Sequence, residues 1–358
     1  MSNKRLSLTE IAKTLGVSSC TVSVVLNNRD KEARINSKTA EKIREYCRSI
    51  GYQPNIHTRR MQSRIVRNVM FYTSSYSGVA HIDNIIAGIL GGVLDRASEE
   101  KVTITMRCGH ISSADDVIFN SFRSREIDGL ILYGTELPEE WKKVFRDEAR
   151  QVVGINMCGC DCVQTVNINN REISKQLVED YLISRGRKNF IYLGGTRLSQ
   201  PGNDRFQGFK DALESAKIEF PAENHYTCNF SMELAVNAVE KHLKRCGALP
   251  DAIVCANDLM AAAVIEYLKA KNIAVPEQVA VVGGDGIDAV QFITPKLTGF
   301  STQPILLGKT AFDLLWAKVN GKKVSDIILP GVMVAGASAE VVFSHLHKYL
   351  SKTGDNSK

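Results

Sequence analysis

Residues 8–27 read LTEIAKTLGVSSCTVSVVLN. Leu8, Ile11, Ala12 and Leu15 fall at i, i+3, i+4 and i+7, the spacing of a helix with one apolar stripe. Ser7 and Glu10 stand three apart at its start, the pattern of a capping box in which each side chain bonds the other residue's amide. Gly16 closes this helix, and Ser18 is placed to cap a second one two residues later. Two short helices joined so tightly, with glycine at the corner, predict a helix-turn-helix. Val22, Val25 and Leu26 anchor the second helix, which leaves Ser19, Cys20, Ser23, Val24 and Asn27 facing outward. A third helix beginning near Asn36 or Ser37 brings Ala40, Ile43, Cys47 and Ile50 over the pair, and Gly51 and Pro54 end it.

In such a unit the second helix lies in the DNA major groove with its N-terminal side chains at base edges. Hydroxyls at Ser19, Thr21 and Ser23 are small enough for close approach and donate to phosphate or base. Small three-helix units also serve as protein-binding modules, and spacing alone leaves both readings open. Charge bears on the choice. Residues 1–65 hold 13 Lys/Arg against 5 Asp/Glu, whereas the whole chain carries only +6. A basic segment on a near-neutral body fits one part that meets a polyanion, although a solvated basic face has the same composition.

Beyond Asn68, apolar runs alternate with helical stretches. NVMFYT, VTITM, GLILYG and VVGIN read as buried strands, followed by FIYLGG, AIVCAND and VAVVGGD. Amphipathic segments such as Asp83 to Glu99 and Arg171 to Ser184 lie between them. Strict alternation predicts parallel sheets covered on both faces, and two such sets predict two doubly wound subdomains with a cleft between them. Ligands in this architecture sit beyond the carboxyl ends of the strands. Asn257, Asp258 and Asp285 stand at such ends, and Arg205 at a helix start. Together an Arg, an Asn and an Asp suit a ligand rich in hydroxyls or amides. A helix cap at Asp258 and a buried ion pair at Arg205 are the structural alternatives.

Several classes are excluded or disfavoured. The 358 residues hold no apolar run near membrane-spanning length, and MSNKRLSLTE lacks the apolar centre of a secretory signal, so a cytoplasmic protein is expected. There is no G-x-G-x-x-G after a strand, no phosphate loop and no H-E-x-x-H, and neither enzymatic activity nor a cofactor is expected. The nine cysteines are scattered and odd in number, which predicts reduced thiols. The cluster CGCDC at Cys158, Cys160 and Cys162 reads as a loop of small residues. A soft-metal or redox role is the alternative, but zinc pairs usually have two or more intervening residues, so no metal is assigned.

The stretch LTEIAKTLGVSSCTVSVVLN, followed by GYQPN, resembles the headpiece of the LacI/GalR family of bacterial transcription regulators across residues 6 to 63. The resemblance implies base contacts from Ser19, Cys20 and Val24, and backbone contacts from Thr21, Ser23 and Asn27. It also implies a hinge that folds on DNA and enters the minor groove, here with Asn55, Thr58 and Arg59, and with Met61 as the apolar wedge. Two departures stand out: the basic loop from Asn28 to Ile35 is longer than usual, and Thr58 replaces a small alanine. YLISRGRKNFIYLGG, RFQGFKDAL, PDAIVCANDLMA, VPEQVAVVGGDGID and PKLTGFSTQ resemble the family's effector-binding core, which is similar to periplasmic sugar-binding proteins. Arg205, Asn257 and Asp285 match effector-contacting positions. Asn156, Thr302 and Ser75 fall at pocket positions where this chain departs from the usual carboxylate, glutamine and Asn-Pro-aromatic element. Asp258 matches a helix-starting aspartate.

The expected architecture is therefore an α/β protein in which a three-helix headpiece (1–54) and a hinge (55–67) precede a core of two subdomains (68–345). The first subdomain takes 68–166 and 297–325, the second 167–296 and 326–345, and a polar tail fills 346–358. The expected function is sequence-specific binding of a palindromic double-stranded operator by a homodimer, most simply as a repressor, under control of a small polar effector and away from membranes. A DNA-binding regulator with a degenerate cleft and no effector is the alternative, and a solute-binding protein a weaker one. Where relatives often carry Arg, Val24 packs on a thymine methyl instead of bonding guanine, so an unusual operator is expected.

Overall fold

A computed structural model describes residues 7–26, 30–52, 68–74, 83–109, 116–134, 137–147 and 151–339. They fall into two compact units, one up to residue 67 together with 123–126, the other 68–122 and 127 onward.

The first unit is built on helices α1 (Leu8–Leu15), α2 (Ser19–Leu26) and α3 (Ser37–Ser49). The capping box is present: the Ser7 amide donates to Glu10 at 2.6 Å, and the Glu10 amide donates back to Ser7 Oγ at 3.3 Å. Gly16 takes the left-handed conformation that turns the chain, at φ 68°. Ser18 Oγ then accepts from the Thr21 amide at 3.0 Å and caps α2. Ile11, Ala12, Val22, Val25, Ala40, Ile43 and Cys47 are buried together, with Leu8, Leu15, Leu26 and Tyr52 packed around them. Ile50 departs from expectation and is exposed. Helix α3 ends at Ser49, and the Tyr52 amide turns back onto the Cys47 carbonyl, so Tyr52 closes the core instead.

The second unit contains two parallel sheets. In the first, β1 (Asn68–Ser74), β2 (Thr103–Gly109), β3 (Gly129–Tyr133), β4 (Val152–Ile155), β5 (Gln164–Ile168) and a later strand, β11 (Ile327–Leu329), stand in the order β11-β5-β4-β3-β1-β2. Helices α4 (Asn84–Glu99), α5 (Asp116–Arg123) and α6 (Glu139–Asp147) connect the early strands. On one face Met70, Tyr72, Leu130, Leu132 and Val152 bury themselves against Ile118, Phe122, Trp141 and Phe145. Strands apolar on both faces are what a fully covered parallel sheet requires.

The second sheet has the order β7-β6-β8-β9, from β6 (Phe190–Gly194), β7 (His225–Thr227), β8 (Ala252–Cys255) and β9 (Ala280–Val282). Its helices are α7 (Asn170–Tyr181), α8 (Gln200–Ser215), α9 (Met232–Cys246) and α10 (Asp258–Ala270). A two-stranded antiparallel ribbon, β10 (Gly299–Ser301) with β12 (Val332–Val334), joins its edge through bridges from Val282 to Thr298 and from Asp285 to Ser301.

Between β10 and β11 the chain returns to the first sheet as helix α11 (Pro304–Val319), packed against α4. The expected subdomain boundaries therefore need correction. Strand β5 runs two residues past 166 within the first sheet, β10 belongs with the second, and β11, within the stretch 326–345 expected in the second subdomain, pairs with β5 of the first. Three-residue strands with mixed burial leave no period to read, so β7, β10, β11 and β12 are not among the expected strands; nor is β5, whose QTVNI is largely polar.

The described residues cross between the sheets after β5, after β10 and after β11, and the crossings are bonded side by side. The Asn169 amide donates to the Leu329 carbonyl, and Asn169 Oδ1 accepts from the Gly331 amide at 2.7 Å. Gln303, left-handed at φ 48°, donates its side-chain amide to the Pro330 carbonyl at 2.8 Å. Helices α4 and α11 approach so closely that a Cβ at Gly308 would overlap the Ile89 carbonyl, and one at Gly92 would overlap that of Ile305. Overpacking such a contact costs about 1–3 kcal/mol. Gly308→Ala should therefore lower unfolding stability by that amount in urea titration, whereas Gly91→Ala, on the partner helix α4 beside Gly92 but with open space at its Cβ, should not.

Candidate functional site

In the first unit, the core residues Val22 and Val25 fix which face of α2 is free. Ser19 and Cys20 are exposed at its N-terminal end; Thr21, Ser23 and Val24 are half-buried. Thr21 Oγ1 lies 2.8 Å from Ser18 Oγ, so this hydroxyl also holds the helix start. No acidic side chain stands in the first turn of α2, which leaves the positive end of the helix unopposed for an anion. Beyond the turn, Asp30 pairs with Arg44 at 2.6 Å and pins the basic loop to α3, while Lys31, Arg34, Lys38 and Lys42 remain exposed. The exposed face of α2 is thus short, small and nearly uncharged, with cations around it. Asn27, Asn55, Thr58, Arg59 and Met61 lie outside the described residues, as does the tail at 346–358.

In the second unit, the expected ligand residues of the second sheet are brought together. Arg205 sits in the second turn of α8, not at its start, and is 6% exposed. Its Nε donates to Asn170 Oδ1 at 3.0 Å, and its Nη1 donates to the carbonyls of Ala256 and Gly284 and pairs with Asp285 at 2.9 Å. Burial pushes the Asp285 carboxyl up to about 7, while the Arg205 charge beside it pulls the other way. Thr302 is turned inward and bonds the Asp285 carbonyl through both its amide and its hydroxyl.

The helix-cap reading of Asp258 is corrected. The cap of α10 is Asn257, whose Oδ1 accepts from the Met260 amide at 3.0 Å. Asp258 is the first helical residue, and its carboxylate accepts from the amides of Gly286 and Ile287 instead. It therefore staples the end of β9 to α10.

Across the seam, Asn156 follows β4 in the left-handed conformation, with φ 54°. Its Oδ1 is buried without a hydrogen-bond partner, as is Thr73 Oγ1 at the end of β1. Two residues on, Cys158 donates to Gln200 Oε1 at the start of α8, so the two rims meet there. Ser75 lies outside the described residues. A groove of about 730 Å³ is lined by Asn84, Gly88, Gly286, Ser301 and Gln303 among others. A second, of about 760 Å³, lies along α7 and α8 and includes Asn169 and Asp204. Neither is lined by Arg205, Asn257 or Asp285, which are sealed by their own bonds.

One aromatic residue was missed. Phe230 follows β7 at φ 60°, and its ring covers Gly195 and Gly202 so closely that a Cβ at Gly195 would overlap it. A left-handed phenylalanine is a strained placement, and its ring lies where the second sheet's strands end. Nothing in the spacing of CNFSM announces this; the two glycines beneath it are the available signal.

Comparison with known proteins decides the class. Residues 7–55 match the model of bacterial regulatory proteins of the lacI family, and residues 180–338 match a periplasmic binding protein-like domain. The chain thus carries a lacI-family helix-turn-helix domain and a periplasmic binding protein-like domain. Catabolite control protein A of Staphylococcus epidermidis is 26% identical over 331 residues, covering 90% of this chain and 95% of that one. The transcriptional repressor PurR of Vibrio atlanticus is 25% identical over 318 residues, covering 88% and 92%. In fold, the lac repressor dimer solved with operator and the anti-inducer ONPF superposes with a TM-score of 0.79 at 20% identity, over 95% of this chain and all of that one. With that helix-turn-helix domain the chain is a DNA-binding transcriptional regulator, and the relatives named above are regulators rather than enzymes. Among the described residues no helix is long and apolar enough to cross a membrane.

Removing one partner of a buried ion pair costs about 3–5 kcal/mol, because the other charge is left unmet. Arg205→Met should destabilise the core by that order at pH 8. The deficit should shrink toward pH 5, because the stranded Asp285 carboxyl takes up its proton more readily folded than unfolded and the burial penalty fades as it does. Urea unfolding at the two pH values measures this. A small deficit that ignores pH would show the pair to be dispensable.

Proposed function

We propose that this regulator is an effector-controlled repressor that binds a palindromic operator as a homodimer. The observation that carries the DNA-reading half is the free face of α2. Ser19, Cys20 and Val24 occupy positions that meet base edges in a helix-turn-helix, and Thr21, Ser23 and Asn27 positions that meet the backbone. With neither Arg nor Asn at the reading positions, base recognition rests on close apolar approach, above all of Val24 to a thymine methyl. Affinity then draws more on phosphate contacts from the surrounding cations and on the hinge segment 55–67, with Met61 as its wedge. For the dimer, exposed Leu94 on α4 with Ile305 and Leu306 on α11 offer an apolar surface on one packed helix pair. The proposed division is a headpiece to residue 54, a hinge to 67 and the effector core beyond.

For the effector, Asn156 and Thr73 supply unpartnered buried polar atoms on the first rim, and Phe230 supplies an aromatic plane on the second. These favour a compact polar metabolite with a flat apolar face, such as a sugar or a nucleobase-like ring. Arg205, Asn257, Asp285 and Thr302 shape the second rim, and Ser75 belongs to the first. A specific observation also favours the second reading, a cleft without an effector: the four second-rim residues already bond to their own surroundings.

Selection from a random DNA pool tests the operator half. The expected site is a palindrome of about 14–20 base pairs with a pyrimidine–purine step at its centre. The base facing Val24 should be thymine or weakly specified, and Val24→Arg should move the preference there to guanine. Binding without sequence preference would overturn the proposal. Thermal melts against a panel of sugars and purines separate the two cleft readings. A true effector raises the midpoint progressively with concentration, by about 2.7 kcal/mol of stabilisation at a hundred times its Kd, and the gain should vanish in Phe230→Ala. No shift across the panel would favour the cleft without an effector.

A further inference from the structure

The segment Cys158–Cys162, CGCDC, joins β4 to β5 and plays no part in the DNA-reading surface. Its last cysteines sit on a tight hairpin. The Cys160 amide donates to the Val163 carbonyl, and the Val163 amide returns to the Cys160 carbonyl, both at 3.1 Å. This leaves a two-residue turn of Asp161 and Cys162 and holds the two sulfurs 3.1 Å apart. Three neighbours keep the turn in place. Arg146, near the end of α6, grips Asp161 with two bonds of 2.7 and 2.9 Å. Lys318, in the last turn of α11, donates to the carbonyls of Cys162 and Val152 and to Gln164 Oε1. Below, both cysteines pack against the core cluster around Trp141 and Phe145.

We propose that Cys160 and Cys162 are a reversible dithiol couple, which a low-molecular-weight disulfide converts to an intrachain disulfide across the Asp161 turn. Three observations carry it. The sulfurs need to close by only about 1 Å to reach bonding distance. The pair is part-exposed, so a small oxidant reaches it. Arg146 holds the turn through Asp161 and Lys318 holds it through the Cys162 carbonyl, so the two sulfurs are kept face to face. Burial and the bond to Cys160 push the Cys162 thiol up to about 12, so Cys162 is the partner that keeps its proton until the second step.

With oxidised glutathione as reagent, the Cys160 thiolate attacks one sulfur of its disulfide, that bond breaks, and one glutathione thiolate leaves. Cys162 then passes its proton to that thiolate, attacks the Cys160 sulfur and expels the second glutathione, which takes up the proton Cys160 had released. Two protein thiols are oxidised and one disulfide is reduced to two thiols. Cys158 takes no part: it is exposed and bonded to Gln200 on the other rim. A metal occupant is the competing use, since Cys160, Asp161 and Cys162 place ligand atoms within 4.8 Å of one another. The grip of Arg146 on the Asp161 carboxylate opposes it.

Intact-mass measurement on the full-length, fully reduced chain tests the couple. Excess oxidised glutathione should remove about 2 Da, the two thiol hydrogens, without leaving glutathione attached there. The loss should map to the tryptic peptide 151–171, with backbone fragments between 160 and 162 suppressed, and dithiothreitol should restore the mass. Cys158→Ser should still lose it; Cys160→Ser and Cys162→Ser should not, and Cys162→Ser should instead hold one glutathione on Cys160. The wild-type fragment map stands even if a variant fails to fold. Three outcomes overturn the proposal: a ring joining Cys158, glutathione accumulating without ring closure in the wild-type chain, or a stoichiometric zinc ion that survives dialysis and blocks the oxidation.

Discussion

A guanidinium taken out of water has to be met on every side, and the second lobe of this regulator is arranged around that demand. Arg205 reaches from α8 to Asn170 at the start of α7, to the loop after β8 through Ala256, and to the end of β9 through Gly284 and Asp285. Four segments distant in sequence are thereby held at one point, where the strands end. Thr302 extends the network by bonding the Asp285 carbonyl, and Asp258 by accepting from the amides of Gly286 and Ile287 that follow it. The rim is consequently rigid before any ligand arrives. Such preorganisation limits what a ligand has to spend on ordering it.

The first lobe is attached to this rim by the seam of crossings at Asn169, Gln303 and Pro330. Movement of one lobe against the other has to be absorbed there, by a few element-terminal residues. Gln303 is already in a left-handed conformation and Asn169 bonds two neighbouring strands' ends. By contrast α4 and α11 meet through Gly92 and Gly308 without space to slide. Packing is thus tight within the first lobe, while the join between the lobes is a few residues wide.

Much of this was legible in the residues. The capping box at Ser7 and Glu10, the corner at Gly16 and the core of Val22, Val25, Ala40, Ile43 and Cys47 follow from spacing alone, because local hydrogen bonds and helical period are local properties. The long apolar strands β1, β3, β4 and β6 are equally plain, being buried on both faces. Ile50 was misjudged because periodicity extends past a helix end that a tertiary contact, Tyr52, had closed. Strand β11 was assigned to the wrong lobe because three residues carry no record of which sheet they will pair with.

At the cleft the division is sharper. Residue types at strand ends and a helix start pointed to Asn257, Asp285 and Arg205 as a polar group, and Arg205 does pair with Asp285. What those groups bond was decided by the tertiary structure: Arg205 with Asp285, Asn257 with its own helix, Asp258 with the neighbouring loop. The sequence by itself determined the helix-turn-helix, the alternation of strand and helix, and the small, uncharged exposed face of α2. Only the tertiary structure decided which polar side chains are spent on the fold, and that Phe230 lies over Gly195 while two cysteine sulfurs face each other. The physical reason is range: caps and periods act across a few residues, whereas desolvation of a charge or a ring is settled by whatever distant chain packs against it.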